Sequence, residues 1–159
     1  MSTQSSQRGF LLVEVMIGVV ILLIIVVLVG VIIGRYLDNR TLLLHETKRM
    51  YLAEAGYEMI RHVRDDGWET LADLALETEH FLAVSTTSIG VTTAPEVISG
   101  VYHRSFILEN LFRAEDGSVV PADTVNATAD ENGRVVTVTV WNETGTTTMH
   151  SVITNLFEL

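Results

Sequence analysis

The chain contains no cysteine, two prolines, and half as many basic as acidic side chains. Without thiolates it cannot hold an iron–sulfur cluster or a thiolate zinc site through cysteine, use a thiol nucleophile, or staple its fold with a disulfide. Its folded part is therefore held by packing alone. Ten Lys and Arg stand against twenty Asp and Glu, a net charge of −10. An acidic exterior argues against nucleic acid or anionic lipid as the main partner. Catalytic patterns are missing as well. There is no glycine-rich phosphate loop, no nucleophile elbow and no paired carboxylate site. The five histidines, His45, His62, His80, His103 and His150, include no His-x-x-x-His pair. His103 and His150 fall in expected strands, where an isolated histidine is ordinarily a surface or half-buried residue rather than a metal ligand. The expectation is a non-enzyme without a cofactor.

What the chain has instead is a 24-residue apolar run, residues 10–33, with a single charge, Glu14. At about 1.5 Å per residue the run makes about 36 Å of helix, enough to cross a bilayer core with some tilt. A carboxylate at the centre of such a helix costs about 2.5–3.5 kcal/mol on insertion scales, so it calls for a partner. A cleavable secretory signal has a shorter apolar stretch, about 7–15 residues, and an Ala-x-Ala-like cut site. This run is too long and ends Gly30-Val31-Ile32-Ile33-Gly34-Arg35 without one. A plain signal anchor explains the length but not Glu14. A free amine on Phe10, created by cutting after Gly9, would answer the carboxylate.

The stretch Arg8-Gly9-Phe10-Leu11-Leu12-Val13-Glu14 resembles the leader-peptide junction of the type IV pilin and pseudopilin superfamily. In that pattern a short polar, basic leader ends in Gly and is followed by Phe, three apolar residues and Glu. Residues 1–9 would be the leader, with Arg8 as its one charged side chain. The resemblance implies cleavage after Gly9 by prepilin peptidase and N-methylation of Phe10. It also implies a wait in the bacterial inner membrane as a single-pass protein with its C-terminal domain outside the cytoplasm. Assembly by an inner-membrane platform and ATPase into a pilus or pseudopilus would come next. In the filament, Glu14 would pair with the Phe10 amine of a neighbouring pilin-like subunit, because an unpaired carboxylate in an apolar bundle is expensive and so selects register. Two departures stand out. Many major pilins close a C-terminal loop with a cysteine pair, absent here, which favours a minor pilin or pseudopilin. Many members also carry a proline toward the end of the apolar run, where Val31 stands.

Beyond Arg35 the pattern stays helical but turns polar. Leu37, Leu44, Tyr51, Ala55 and Met59 recur on one face, no proline interrupts residues 34–64, and Asp65-Asp66-Gly67 reads as a stop. Gly30 and Gly34 share a helical face, suited to close helix approach or to ordinary membrane-helix glycine. Residues 51–65 resemble a segment common in PilV-like minor pilins. Within it Glu58 has the spacing to pair with Arg61 or His62 on the helix surface.

The remainder reads as an antiparallel β domain, residues 67–159. A short helix is expected over 68–78 with Leu71 and Leu74 inward, a strand over 81–84, and loop over 86–100. A strand over 101–112 places Tyr102, Arg104, Phe106 and Leu108 on one face. A polar loop is expected over 119–133. A strand over 134–141 turns Val136, Val138 and Val140 to the core, and a turn at 142–145 leads to a last strand over 146–157. The closing hairpin resembles that of PilV-like and I-type pseudopilin domains. The expected organisation is thus α+β: leader 1–9, membrane or filament-core helix 10–34, amphipathic helix half 35–66 and an antiparallel sheet packed on that outer half.

Some pseudopilins bind calcium through a C-terminal loop, and Asp123, Asp130 and Glu131 offer suitable oxygens. Their spacing is not that of an EF-hand, and a solvated acidic loop is the favoured reading. Asn126-Ala-Thr and Asn142-Glu-Thr fit the N-x-Thr acceptor pattern. The functional expectation is a structural minor pilin or pseudopilin of a type IV pilus or type II secretion-like filament. The rival is a single-pass anchored binding domain, an adhesin or sensor ectodomain, that never polymerises.

Overall fold

The computed structural model describes residues 5–86 and 88–155, and all of their side chains except those of residues 5–11 and Asp38. Among the described residues, helix α1 (Ser5–Asp66) is followed by a short helix α2 (Glu69–Ala72) and seven strands: β1 (Phe81–Val84), β2 (Ile89–Thr92), β3 (Glu96–Ile98), β4 (Tyr102–Arg113), β5 (Val119–Val120), β6 (Thr128–Asn142) and β7 (Gly145–Thr154). The chain divides into two units, Met1–Leu44 and His45–Leu159.

Among the described residues the first unit is helix alone. From Leu12 to Leu37 every large apolar side chain is exposed, so this stretch buries nothing within the unit. It meets the length and hydropathy requirement for a membrane span, with mean hydropathy 3.6 over its most apolar window.

The second unit is an α+β domain. Strands run β3-β4-β6-β7 in one antiparallel sheet, with β5 also on β4, while β1 and β2 form a separate antiparallel pair. One isolated bridge, His80 to Phe106, joins the start of β1 to β4. The last part of α1 lies against the sheet: Ala53, Ile60 and Val63 share a core with Phe106, Leu108, Val136, Val138, Val140 and Ile153. The alternation expected in β4 and β6 is observed. Tyr102, Arg104, Phe106 and Leu108 are buried, as are the three valines of β6. Burying an aliphatic side chain of this size contributes about 1.5–3 kcal/mol.

Four expectations change. The face of α1 that packs matches the expected Leu37, Leu44, Tyr51, Ala55 and Met59 only in part: Met59 is half-buried against the core and Ala55 half-buried. Leu37, Leu44 and Tyr51 are exposed, and the buried stripe is Arg49, Ala53, Gly56, Ile60 and Val63. Close approach decides this, because a Cβ on Gly56 would sit 2.8 Å from Arg104 Cδ and 3.2 Å from Val138 Cγ1. The helix expected over 68–78 is only four residues long. Its continuation docks on β4 instead: Glu77 N–H donates to Leu108 O and His80 N–H to Phe106 O, each at 2.9 Å. Leu71 is buried as expected, and Leu74 is half-buried. Residues 86–100 are not simple loop, since β2 finds β1 and β3 finds the edge of β4. The expected loop 119–133 contains β5 and the start of β6. The ladder slips between Asn110 and Leu111, which pair with Arg134 and Asp130, so residues 131–133 bulge. Gly133 allows this: a Cβ there would lie 2.5 Å from Leu111 Cδ2 and 2.9 Å from Asp130 Oδ2. The last strand ends at Thr154, and Leu156 and Phe157, expected within it, lie outside the described residues.

Candidate functional site

Glu14 is exposed on α1 among exposed Val13, Val15 and Ile17. The next charged residue along the chain is Arg35, about 31 Å away at the rise of an α-helix. A carboxylate so placed has no cation within side-chain reach along its own helix toward the C-terminus. Any ammonium or guanidinium that answers it comes from the N-terminal side or from another molecule. The backbone at Gly9 and Phe10 is helical and continuous with the rest of α1. The side chains of Arg8 and Phe10 lie outside the described residues, as do residues 1–4 of the expected leader.

In the second unit the polar side chains act chiefly as staples between helix and sheet. Arg49, buried at 7% exposure, donates from Nη1 to Asn142 Oδ1 and Thr144 Oγ1, each at 2.9 Å, and from Nε to Thr147 Oγ1 at 3.2 Å. It thus holds α1 to the β6–β7 turn. That turn closes on itself as well, with Thr144 N–H and Oγ1–H both donating to Asn142 Oδ1. Arg104, 3% exposed, lies between three elements. It makes a two-pronged pair with Glu96 on β3, Nε–Oε2 2.9 Å and Nη2–Oε1 2.7 Å, and donates from Nη1 to Leu52 O on α1 at 3.1 Å. Near it, His45 Nδ1 lies 2.7 Å from Tyr102 Oη, and the Lys48 ammonium sits 5.1 Å from the centre of the Tyr102 ring.

The other arginines of this unit are engaged too. Arg61 pairs with Glu58 at 2.9 Å and Arg64 with Asp65 at 2.7 Å. Arg134 Nη1 donates to the carbonyls of Asp130, Glu131 and Gly133. Of the two surface pairings that the sequence spacing allows Glu58, the Arg61 one forms, while His62 Nδ1 lies 3.2 Å from Asp66. Both ends of the Glu58–Arg61 pair are exposed, so its contribution is small.

Asp130 does not sit free in an acidic loop. Arg113 Nε donates to its Oδ2 at 2.6 Å, and Asn132 N–H to its Oδ1 at 2.9 Å. The Arg113 hydrogen bond first, then the Asn132 amide and the charges of Arg113 and Arg134, hold its carboxyl below the ordinary carboxylate value against the opposing effect of burial. Asp123, Asp130 and Glu131 are not brought together: among the described residues no three His, Cys, Asp or Glu side chains form a group able to hold a metal ion. Of the two N-x-Thr positions, Asn126 is exposed at positive φ (64°), whereas the Asn142 amide oxygen is taken by Arg49 and Thr144. His103 and His150 do not converge on a ligand set. His103 stacks on Trp141, ring centres 5.4 Å apart, and His150 Nδ1 lies 2.9 Å from Thr137 Oγ1. Beside His103 and Trp141 is an open cavity of about 470 Å³, also lined by Gly100, Val101, Asn142 and Glu143.

Sequence pattern alone does not reveal the roles of Arg49 and the Arg104–Glu96 pair. Arg104 was legible as inward-facing by strand alternation, but its carboxylate lies in what read as loop. Arg49 is legible only from the small-residue stripe Ala53–Gly56 on its face. No protein-family model, curated protein or solved structure matches this chain.

Proposed function

We propose that this chain is a minor pilin or pseudopilin, a structural subunit of a type IV pilus or type II secretion-like filament. The observation that carries the reading is Glu14. It is the lone charge of the apolar run, five residues after Gly9 in the order Gly-Phe-Leu-Leu-Val-Glu. Cleavage after Gly9 and N-methylation would place a methylated α-ammonium on Phe10, and Glu14 of one subunit would receive the ammonium of its neighbour. In a medium of low dielectric that pairing offsets a desolvation cost of several kcal/mol per ion, so subunits in the wrong register are rejected. The exposed apolar helix supports the reading, since it is long enough for a membrane before assembly and for a helix bundle afterwards. The partners are other pilin-like subunits, the prepilin peptidase and the inner-membrane platform.

Two measurements test this. Mass spectrometry of the protein from a cell with an active prepilin peptidase is expected to find a chain beginning at methylated Phe10; an intact Met1 terminus rejects the proposal. Glu14→Leu is expected to insert in the membrane yet stay out of sheared filaments. If it inserts better and nothing else changes, the chain is an anchored ectodomain.

A further inference from the structure

β7 is the last strand of the five-stranded sheet, and β6 pairs with only one of its sides. The register fixes which backbone groups face away. Asn142 pairs with Gly145 across the two-residue turn Glu143-Thr144, and such a turn closes on a hydrogen-bonded pair. At the other end Asn155 N–H donates to Asn132 O at 2.8 Å, which has the same phase. Alternation along an antiparallel ladder then points the N–H and C=O of Thr146, Thr148, His150 and Val152 outward. The Tyr57 hydroxyl, reaching round from α1, donates to Val152 O at 3.2 Å, as this phase requires. The outward backbone groups of Thr146, Thr148 and His150 have no hydrogen-bond partner among the described residues. These three residues and Val152 are exposed.

Sheets ordinarily blunt such an edge with charge, proline, a bulge or a short strand. β7 is ten residues long and contains no Asp, Glu, Lys, Arg or Pro, and its register with β6 is unbroken. The opposite side of β4 is covered, by β3, β5 and the His80 bridge. Only an extended backbone can match alternate donors and acceptors spaced about 7 Å apart. Charge indicates whose backbone it is. The unit His45–Leu159 carries eighteen Asp and Glu against seven Lys and Arg, and Glu143 stands at the entrance to β7. A second copy brings the same negative field, and a basic strand brings the complement.

We propose that β7 is a docking edge for an extended, basic segment of a different protein, which adds as a further strand along Thr146, Thr148 and His150 and stops where Tyr57 occupies Val152 O. This does not depend on the filament reading.

The test uses the full-length protein in detergent and three capped ten-residue peptides followed by fluorescence anisotropy. These are alternating Lys-Val, the same peptide N-methylated at every backbone amide so that neither edge can donate, and alternating Glu-Val. A peptide copy of β7 is the fourth probe. The Lys-Val peptide is expected to bind and to slow amide exchange at Thr146, Thr148 and His150 at least tenfold. N-methylation, the acidic sequence, and Thr148→Pro, which removes an outward donor and no β6 bond, are each expected to weaken binding at least tenfold. Equal binding of the N-methylated peptide overturns the proposal, as do outward amides already protected without peptide. Preferential binding of the β7 copy overturns it in favour of self-pairing. The N-methylated peptide leaves the protein untouched, so the test stands even if Thr148→Pro fails to fold.

Discussion

Glu96→Gln isolates the energetics of the three-way junction at Arg104. The substitution keeps the shape of the side chain and removes its charge, leaving a guanidinium that is 3% exposed with Leu52 O, Met59 Sδ and one neutral amide oxygen at position 96 as acceptors. Two unit charges about 4 Å apart interact by about 4 kcal/mol at an effective dielectric near 20, and removing one partner of a buried pair costs about 3–5 kcal/mol. Glu96 is 15% exposed, so some water reaches the site, and about 3 kcal/mol is the expected loss. For a unit of roughly a hundred residues that corresponds to about 12 °C in Tm. The assay is thermal unfolding of the full-length protein in detergent, followed by near-ultraviolet circular dichroism of Trp68 and Trp141. The double variant Arg104→Met/Glu96→Leu strands no charge and is expected to return to within about 1 kcal/mol of the parent. A Tm loss under about 3 °C for Glu96→Gln, or a double variant no better than the single one, refutes the reasoning.

Gly56→Ala is expected to reverse the usual sign of a helix-interior glycine replacement. The gain of about 1 kcal/mol in helix propensity is outweighed by overpacking of about 1–3 kcal/mol where the new methyl would meet Arg104 and Val138, and urea midpoints read the difference. Asp130 gives a pH signature. Its folded pKa is depressed by Arg113, so its contribution is complete above the unfolded value of about 3.9 and fades as pH falls through the folded one. Asp130→Asn is expected to lower the unfolding free energy read by urea titration at pH 7, by about 1 kcal/mol since Arg113 is partly exposed, and to converge on the parent as pH falls through the depressed folded value; a gap that does not narrow in acid contradicts this assignment.

The β6–β7 hairpin and the inward faces of β4 and β6 were legible because period-two alternation of valine and threonine has one solution. The helix stop at Asp65-Asp66-Gly67 was legible for an equally local reason. The packing face of α1 was legible only in part. Periodicity weights large side chains, and this interface is built on Ala53 and Gly56, where absence of bulk is the signal. Strands β2, β3 and β5 were hidden because two to four residues carry too little pattern, and their partners are set by tertiary pairing. The same cause hid the carboxylate that neutralises Arg104. Glu14 stands out in the sequence as the lone charge of residues 10–33, and the structure adds that it is exposed on α1.

The arginines of the second unit are all spent inward or on neighbouring carboxylates and carbonyls, and its one lysine rests near a tyrosine ring. The positive charge of this unit is therefore committed to holding its own fold, while its carboxylates outnumber those cations eighteen to seven. The sign of the surface that remains is thus a by-product of how helix and sheet are fastened together.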